Sequence, residues 1–181
     1  MKVATCILVT WIDMLIDSHS HIDGEGFTED IPEIFARMRE NKVMGSLIAG
    51  CSLNEYSRGL NFVKKHPNLW YAVGVHPSTT TDDHEPTTDG LCSLTADKKV
   101  VAIGESGLDF YYDDVKKDKQ ISRFKIQIEA AKRVNLPLII HSRDAKQLTV
   151  DLLREGGASS FVLHCFTGDK KMAKAALDMG G

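Results

Sequence analysis

His19 and His21 stand one residue apart at the end of a short apolar run, Leu15-Ile16-Asp17-Ser18-His19-Ser20-His21-Ile22-Asp23. Side chains in a strand alternate faces, so both imidazoles point the same way, toward whatever lies beyond the strand's carboxyl end. Two neutral imidazoles on one face of a rigid strand make a preformed pair of nitrogen ligands for a divalent metal. Taken alone, the pair reads equally well as a surface strand end that happens to hold two histidines. Four further residues repeat the placement. His76 ends the third apolar run, Glu105 the fourth, His141 the fifth and His164 the sixth. A hydrogen-bonded strand end is the simpler account of any one of them, whereas a metal centre is the simpler account of the set. His66, before Pro67, and His84, in an acidic loop, read as solvated surface residues.

Four imidazoles and a carboxylate suit zinc, manganese, iron or nickel better than calcium, and the lack of a cysteine ligand argues against a closed structural zinc site. Five donors exceed the needs of one tetrahedral ion, which points to two divalent ions sharing a bridging carboxylate. Glu105 is the only candidate bridge. Such a pair polarises a phosphoryl or carbonyl oxygen and lowers the pKa of a bound water enough to make hydroxide at neutral pH.

The elements that must carry these donors alternate along the chain. After the first strand, residues 24–30 form a loop, and Pro32 opens a helix to about Asn41 with Ile31, Ile34, Phe35 and Met38 on one face. Strands are predicted at residues 45–51, 70–75, 100–105, 137–141 and 161–166. Between them come a helix capped by Asn54 with Tyr56, Leu60 and Val63 as its stripe, a polar loop at 78–90 with a weak helix at 91–96, and a long helix at 119–134. That long helix turns Ile121, Phe124, Ile128 and Ala131 inward. Helices at 145–155 and 170–179 complete the pattern. Six strand-then-helix units with near-continuous apolar strands leave an open doubly wound sheet or a closed (β/α)8 barrel. No glycine-rich phosphate turn follows the first strand, which counts against a nucleotide-binding open sheet. Polar residues gathered at strand carboxyl ends favour the α/β TIM-type barrel, whose chemistry sits on that rim.

Composition sets outer bounds. The chain has 181 residues, 43% hydrophobic and 26% charged, ordinary values for one globular domain. A net charge of -3 supplies no broad basic field, although a local basic rim is compatible with it. Cys6, Cys51, Cys92 and Cys165 are scattered without a CxxC pair, so a reducing, cytoplasmic setting is expected. No apolar run is long enough to span a bilayer, and no membrane partner is expected. The opening residues imitate a signal peptide but offer one basic residue and no small-residue cleavage site. Met14 directly precedes the histidine strand, so residues 1–13 read as an appended segment ahead of a barrel domain at 14–181.

From Met14 to Gly181 the chain resembles the TatD family of metal-dependent hydrolases, in the amidohydrolase-like barrel superfamily. The likeness rests on Asp17-Ser18-His19-Ser20-His21, Gly74-Val75-His76-Pro77, and Gly104-Glu105-Ser106-Gly107-Leu108-Asp109-Phe110-Tyr111. It continues in residues 136–145, which include Ile140-His141-Ser142-Arg143-Asp144, and in Leu163-His164-Cys165-Phe166-Thr167-Gly168. It implies a (β/α)8 barrel that hydrolyses phosphodiesters with two divalent ions (Zn, Mg or Mn), typically as a deoxyribonuclease acting on DNA. His19, His21 and Glu105 would hold one ion, and Glu105, His141 and His164 the other. His76 and Asp109 would orient metal ligands or substrate, and Ser142 and Arg143 follow a ligand on the rim. Arg143 is the residue expected to grip a phosphate, because its planar fork matches phosphate oxygens; a salt bridge to Asp144 or a neighbouring helix is the plainer alternative.

Family members continue for two more strands and an acidic Glu-Thr-Asp-type motif, which this sequence does not reach. The expectation is therefore a C-terminally truncated barrel of about six units, with exposed strand edges that edge-to-edge pairing in a homodimer would cover. A barrel hydrolase of amide or acyl ester bonds, and an inactive metal-binding remnant, are the alternatives to a nuclease.

Overall fold

The computed structural model describes residues 14–80, 85–112 and 114–181. Six parallel strands form one sheet in strictly sequential order. β1 is Leu15–Ser20, β2 Val43–Ala49, β3 Leu69–Val73, β4 Val100–Asp109, β5 Leu138–Arg143 and β6 Phe161–Leu163. Between and after them run α1 (Ile31–Glu40), α2 (Tyr56–Lys64), α3 (Thr88–Leu94), α4 (Lys117–Val134), α5 (Lys146–Gly156) and α6 (Lys170–Asp178). An open doubly wound sheet reverses its strand order at a switch point. No reversal occurs here, so the six βα units belong to a TIM-type barrel wall. Among the described residues β1 and β6 are its two edges, and Leu15, Ile16 and Val162 are exposed there. The expected segment 1–13 and His84 lie outside the described residues.

Alternation along the strands separates two apolar groups. Ile48, Tyr71, Ile103, Leu138 and Ile140 pack with Phe124, Ile128 and Leu153 of the helices. Ala72, Ala102 and Ile139, with half-buried Leu47, form the smaller group on the other face. Burying apolar groups on both faces is what a parallel wall with helices outside requires.

Several boundaries differ from those predicted. β4 continues four residues past Glu105, so Glu105 sits inside the strand rather than at its end. His76 lies three residues beyond β3, and β6 stops at Leu163. Asn54 is not a cap but lies within a short 3-10 turn, Leu53–Glu55, that precedes α2 and is itself capped by Ser52, whose hydroxyl accepts from the Asn54 N–H at 3.2 Å. In α4, Ile121 is only partly buried, while Gln120, Arg123 and Gln127 are buried.

That polar stripe on α4 has a structural cause. Gln127 donates to the Val75 carbonyl at 3.0 Å and accepts from the Val75 N–H at 2.9 Å. Gln120 accepts from the Asp109 N–H and donates to the Asp109 and Val115 carbonyls. Beyond the last ladder bond a strand's backbone groups still need partners, and these two amides supply them just before His76 and at the end of β4. Arg123 donates to the Thr79 carbonyl at 2.7 Å and makes a bidentate pair with Glu85 at 2.8 and 2.9 Å.

The bonds from Arg123, then Lys119, hold the Glu85 carboxyl down at about 2. A depressed carboxylate contributes stability that is complete above its unfolded value of 4.5 and fades as pH falls toward 2. Because the Glu85 side chain is 51% exposed, screening limits the effect to about 1 kcal/mol. Urea unfolding of the wild type and Glu85→Gln should therefore differ at pH 6, with the gap closing between pH 4.5 and 2. A gap constant with pH contradicts this assignment.

Candidate metal centre

Glu105 is 3% exposed and lies within reach of five imidazoles. Gly104 puts it there. The β4–β5 register shifts between Ile103 and Ser106, and Gly104 has φ of +140°, a conformation L side chains rarely adopt. A Cβ on Gly104 would also lie 2.7 Å from the Ile139 carbonyl oxygen. Continued alternation from Ala102 would turn residue 105 toward the helices; the irregularity turns it to the face shared by Ile139 and His141.

The two carboxylate oxygens face different partners. Oε2 is 3.3 Å from His19 Nε2 and 3.7 Å from His21 Nε2. Oε1 is 2.7 Å from His164 Nε2, 3.3 Å from His141 Nδ1 and 3.6 Å from His76 Nε2. The His19 and His21 Nε2 atoms stand 3.2 Å apart, and the His19 and His164 rings stack with centroids at 3.8 Å. Burial opposes ionisation of Glu105, but the imidazoles of His141, His164 and His19 around it reverse that and hold its carboxyl well below the usual range.

Hydrogen bonds on the far side of three rings determine which nitrogen faces inward as a donor. His21 Nδ1–H donates to the Ala49 carbonyl at 3.1 Å, leaving the Nε2 lone pair toward Glu105. His141 Nε2–H donates to Asp109 Oδ2 at 2.9 Å, leaving Nδ1 inward. A carboxylate behind a histidine in this way fixes the ring and raises its basicity. His76 is opposite in sense. Its Nδ1 accepts the Ser78 N–H at 3.1 Å, so the neutral ring carries its proton on Nε2 and points that proton at Glu105. Burial, against the pull of Glu105, lowers the His76 pKa to about 4, so the ring is neutral at physiological pH. His76, Glu105 and His141 meet closely enough to enclose an ion, and in this tautomer His76 faces Glu105 as a hydrogen-bond donor.

The remaining donors fit divalent cations. Two atoms bound to one ion at about 2.1 Å stand roughly 3.0 to 3.4 Å apart in octahedral or tetrahedral coordination, and several of these separations fall there. His164 Nε2 is buried, lies 2.7 Å from a carboxylate oxygen and still makes no hydrogen bond, and His19 Nδ1 is buried without a partner among the described residues. An unpaired nitrogen facing a carboxylate, as at His164 Nε2, is costly in protein alone, and a cation would remove the cost.

Asp109 is buried behind His141, and its other oxygen accepts from the N–H groups of Tyr111 and Tyr112 at 3.0 and 3.3 Å. Arg143 lies on the rim, with its guanidinium carbon 3.7 Å from the centre of the Tyr111 ring; the described residues show no ion pair to Asp144. Ser142 does not join the cluster. It alternates away from His141 and shares a hydrogen bond with Thr149 of α5 at 2.9 Å. Cys51, absent from the expected set, brings its Sγ to 4.0 Å from Glu105 Oε2 and from His21 Nδ1. Burial, then Glu105, pushes its thiol up to about 12. The sequence did carry the signal, since Cys51 closes the second predicted strand just as the histidines close theirs.

Residues 16–181 match the family model described as TatD related DNase. The chain is 37% identical over 168 residues to the uncharacterized metal-dependent hydrolase YabD of Bacillus subtilis, covering 92% of this chain and 66% of that protein. It is 35% identical over 171 residues to the uncharacterized metal-dependent hydrolase YcfH of Escherichia coli K12, with 92% and 64% covered. It is 29% identical over 168 residues to the 3'-5' ssDNA/RNA exonuclease TatD of Salmonella typhimurium, with 92% and 65% covered. Among solved structures, the TatD homologue YJJV of Escherichia coli superposes with a TM-score of 0.85 at 27% identity, covering 92% of this chain and 65% of that one. The chain thus spans just under two thirds of the length of the first of these relatives.

Asp109→Asn preserves the oxygen that accepts from Tyr111 and Tyr112 while replacing the one that holds His141. Calorimetric titration with Mn²⁺ should show affinity reduced about 10- to 100-fold with the thermal midpoint of the metal-free protein little changed. Unchanged affinity would remove Asp109 from the role of orienting His141.

Proposed function

The chain belongs to the TatD related DNase family, and from that premise we propose that it is a metal-dependent hydrolase cleaving phosphodiester bonds of nucleic acid at the Glu105 cluster. The observation that carries the reading is the division of one buried carboxylate between two sets of imidazoles, His19 and His21 on Oε2, His141 and His164 on Oε1. That division supports a pair of divalent ions (Zn, Mg or Mn) with Glu105 between them. When bound, such ions polarise a phosphoryl oxygen and supply a nucleophilic water at neutral pH.

The chain's own groups set the rest. Glu105 stays anionic among the imidazoles, and divalent ions held there would offset the negative charge that otherwise repels a phosphodiester. Asp109 holds His141 in one orientation. His76 turns its Nε2 proton toward Glu105 Oε1 and so helps to orient the carboxylate. Arg143 offers its fork to a phosphate oxygen from the rim. The exonuclease name of the Salmonella relative supports single-stranded DNA or RNA as the substrate class. No helix among the described residues is long and apolar enough to cross a membrane, and the free Cys51, Cys92 and Cys165 support a reducing, cytoplasmic setting.

The decisive measurement is hydrolysis of single-stranded DNA with Mn²⁺ or Mg²⁺, which a chelator should stop. Glu105→Ala should lower the rate at least a thousandfold with the fold retained by circular dichroism. A rate unchanged by this substitution would discard the carboxylate-centred reading. Arg143→Ala should raise KM about tenfold or more while lowering kcat less, as loss of a charge-assisted contact in the bound state predicts. A fall confined to kcat would take Arg143 out of the binding role.

A further inference from the structure

Tyr111 and Tyr112 follow β4 at the rim and remain 57% and 48% exposed. Their rings meet edge to face with centroids 4.8 Å apart. Leaving two adjacent aromatic rings in water forgoes the apolar burial such rings provide. Their backbone is nevertheless fixed, since Asp109 Oδ1 accepts both of their N–H groups. Through its other oxygen Asp109 holds His141, whose Nδ1 faces Glu105. The aromatic pair is therefore tied to the donor cluster by three successive polar contacts.

Arg143 is its third member. Arg143 pairs with Asp109 across the β4–β5 ladder, and its carbonyl accepts the Phe110 N–H at 2.9 Å. Its guanidinium carbon lies 3.7 Å from the Tyr111 ring centre and 5.1 Å from that of Tyr112. Contact with the aromatic face sets the plane of the guanidinium and leaves its N–H edges available, since the described residues offer it no ion pair. Flat exposed rings touching a cation are complementary to a nucleotide. The rings match the face of an unpaired base, and the cation matches its phosphate.

We propose that Tyr111 and Tyr112 form a stacking subsite for an unpaired nucleobase of a single-stranded polynucleotide, with Arg143 on the adjoining phosphate. The subsite rests on the nucleic-acid reading of the Glu105 cluster. In a duplex the base faces are covered by their neighbours, so only an unstacked strand can enter it. Every base has a π-face, so the subsite is tolerant of sequence.

The test uses the full chain and two labelled single-stranded oligodeoxynucleotides of equal length and charge, one bearing normal bases and one abasic throughout. Binding is read both in chelator and in Mn²⁺, and hydrolysis in Mn²⁺. The wild type should bind the base-bearing strand roughly tenfold more tightly than the abasic one, within the range of base–aromatic stacking. Tyr111→Ala with Tyr112→Ala should reduce that preference to about threefold or less, weakening the base-bearing strand more than the abasic one. Tyr111→Phe with Tyr112→Phe should keep it, because stacking needs the ring and not the hydroxyl. Equal affinity of the wild type for both strands, no binding of either, or an undiminished preference in the double alanine variant would overturn the subsite. So would parallel loss of both strands by that variant, which would mean the tyrosines act only by placing Arg143. Preference in binding without hydrolysis of either strand would leave the subsite standing and sink the hydrolytic reading. Hydrolysis without preference would do the reverse.

Discussion

An ionised carboxylate removed from water must be surrounded by groups that favour its charge, and Glu105 is the place where this chain meets that requirement. Five rings approach it, and bonds behind three of them settle which nitrogen each presents. The result is asymmetric. His21 and His141 offer lone pairs, His76 offers a proton, and His164 lies closest without an aligned bond. A site made only of hydrogen bonds would pair these atoms with one another. The buried His164 Nε2 is instead left without a partner among the described residues, which favours a cation there over a structural polar network.

Keeping the cluster in place falls to groups that never touch it. The α4 helix spends its buried face on Gln120, Arg123 and Gln127 as well as on Phe124 and Ile128, because the strand ends it covers expose backbone N–H and C=O groups that apolar side chains cannot satisfy. Gly107 acts on the other side of β4. Its φ is +124°, and a Cβ there would lie 2.0 Å from the His141 carbonyl oxygen, so only glycine lets β4 approach β5 closely enough to pair Gly107 with His141. Such positions set distances between donors without contributing any donor.

The alternation of apolar runs with amphipathic stretches made the βα repeat legible, and the recurrence of His or Glu after those runs made the convergence of His19, His21, His76, Glu105, His141 and His164 legible too. Both signals are local and periodic. Less visible were features that depend on one strand's relation to another. The turn at Gly104 that reverses the direction of Glu105 reads in sequence as a strand about to end. The polar stripe of α4 is hidden because amphipathic reading assigns polar residues to water. Adjacency to His141 predicts Ser142 on the rim, yet period-two alternation sends it to Thr149 on the helical side. The Tyr111–Arg143 contact joins the ends of two strands and has no short-range signature.

The strictly sequential strand order also bears on how the molecule comes into being. Every strand docks beside the one synthesised just before it, so the sheet can grow strand by strand from the amino end. The donors emerge from the ribosome in the same progression: His19 and His21 with the first strand, then Glu105 with the fourth, His141 with the fifth, and His164 after the sixth. The first pair of imidazoles therefore waits for the Glu105 carboxylate, so the cluster can close only after β4 has been made and docked beside the three strands before it.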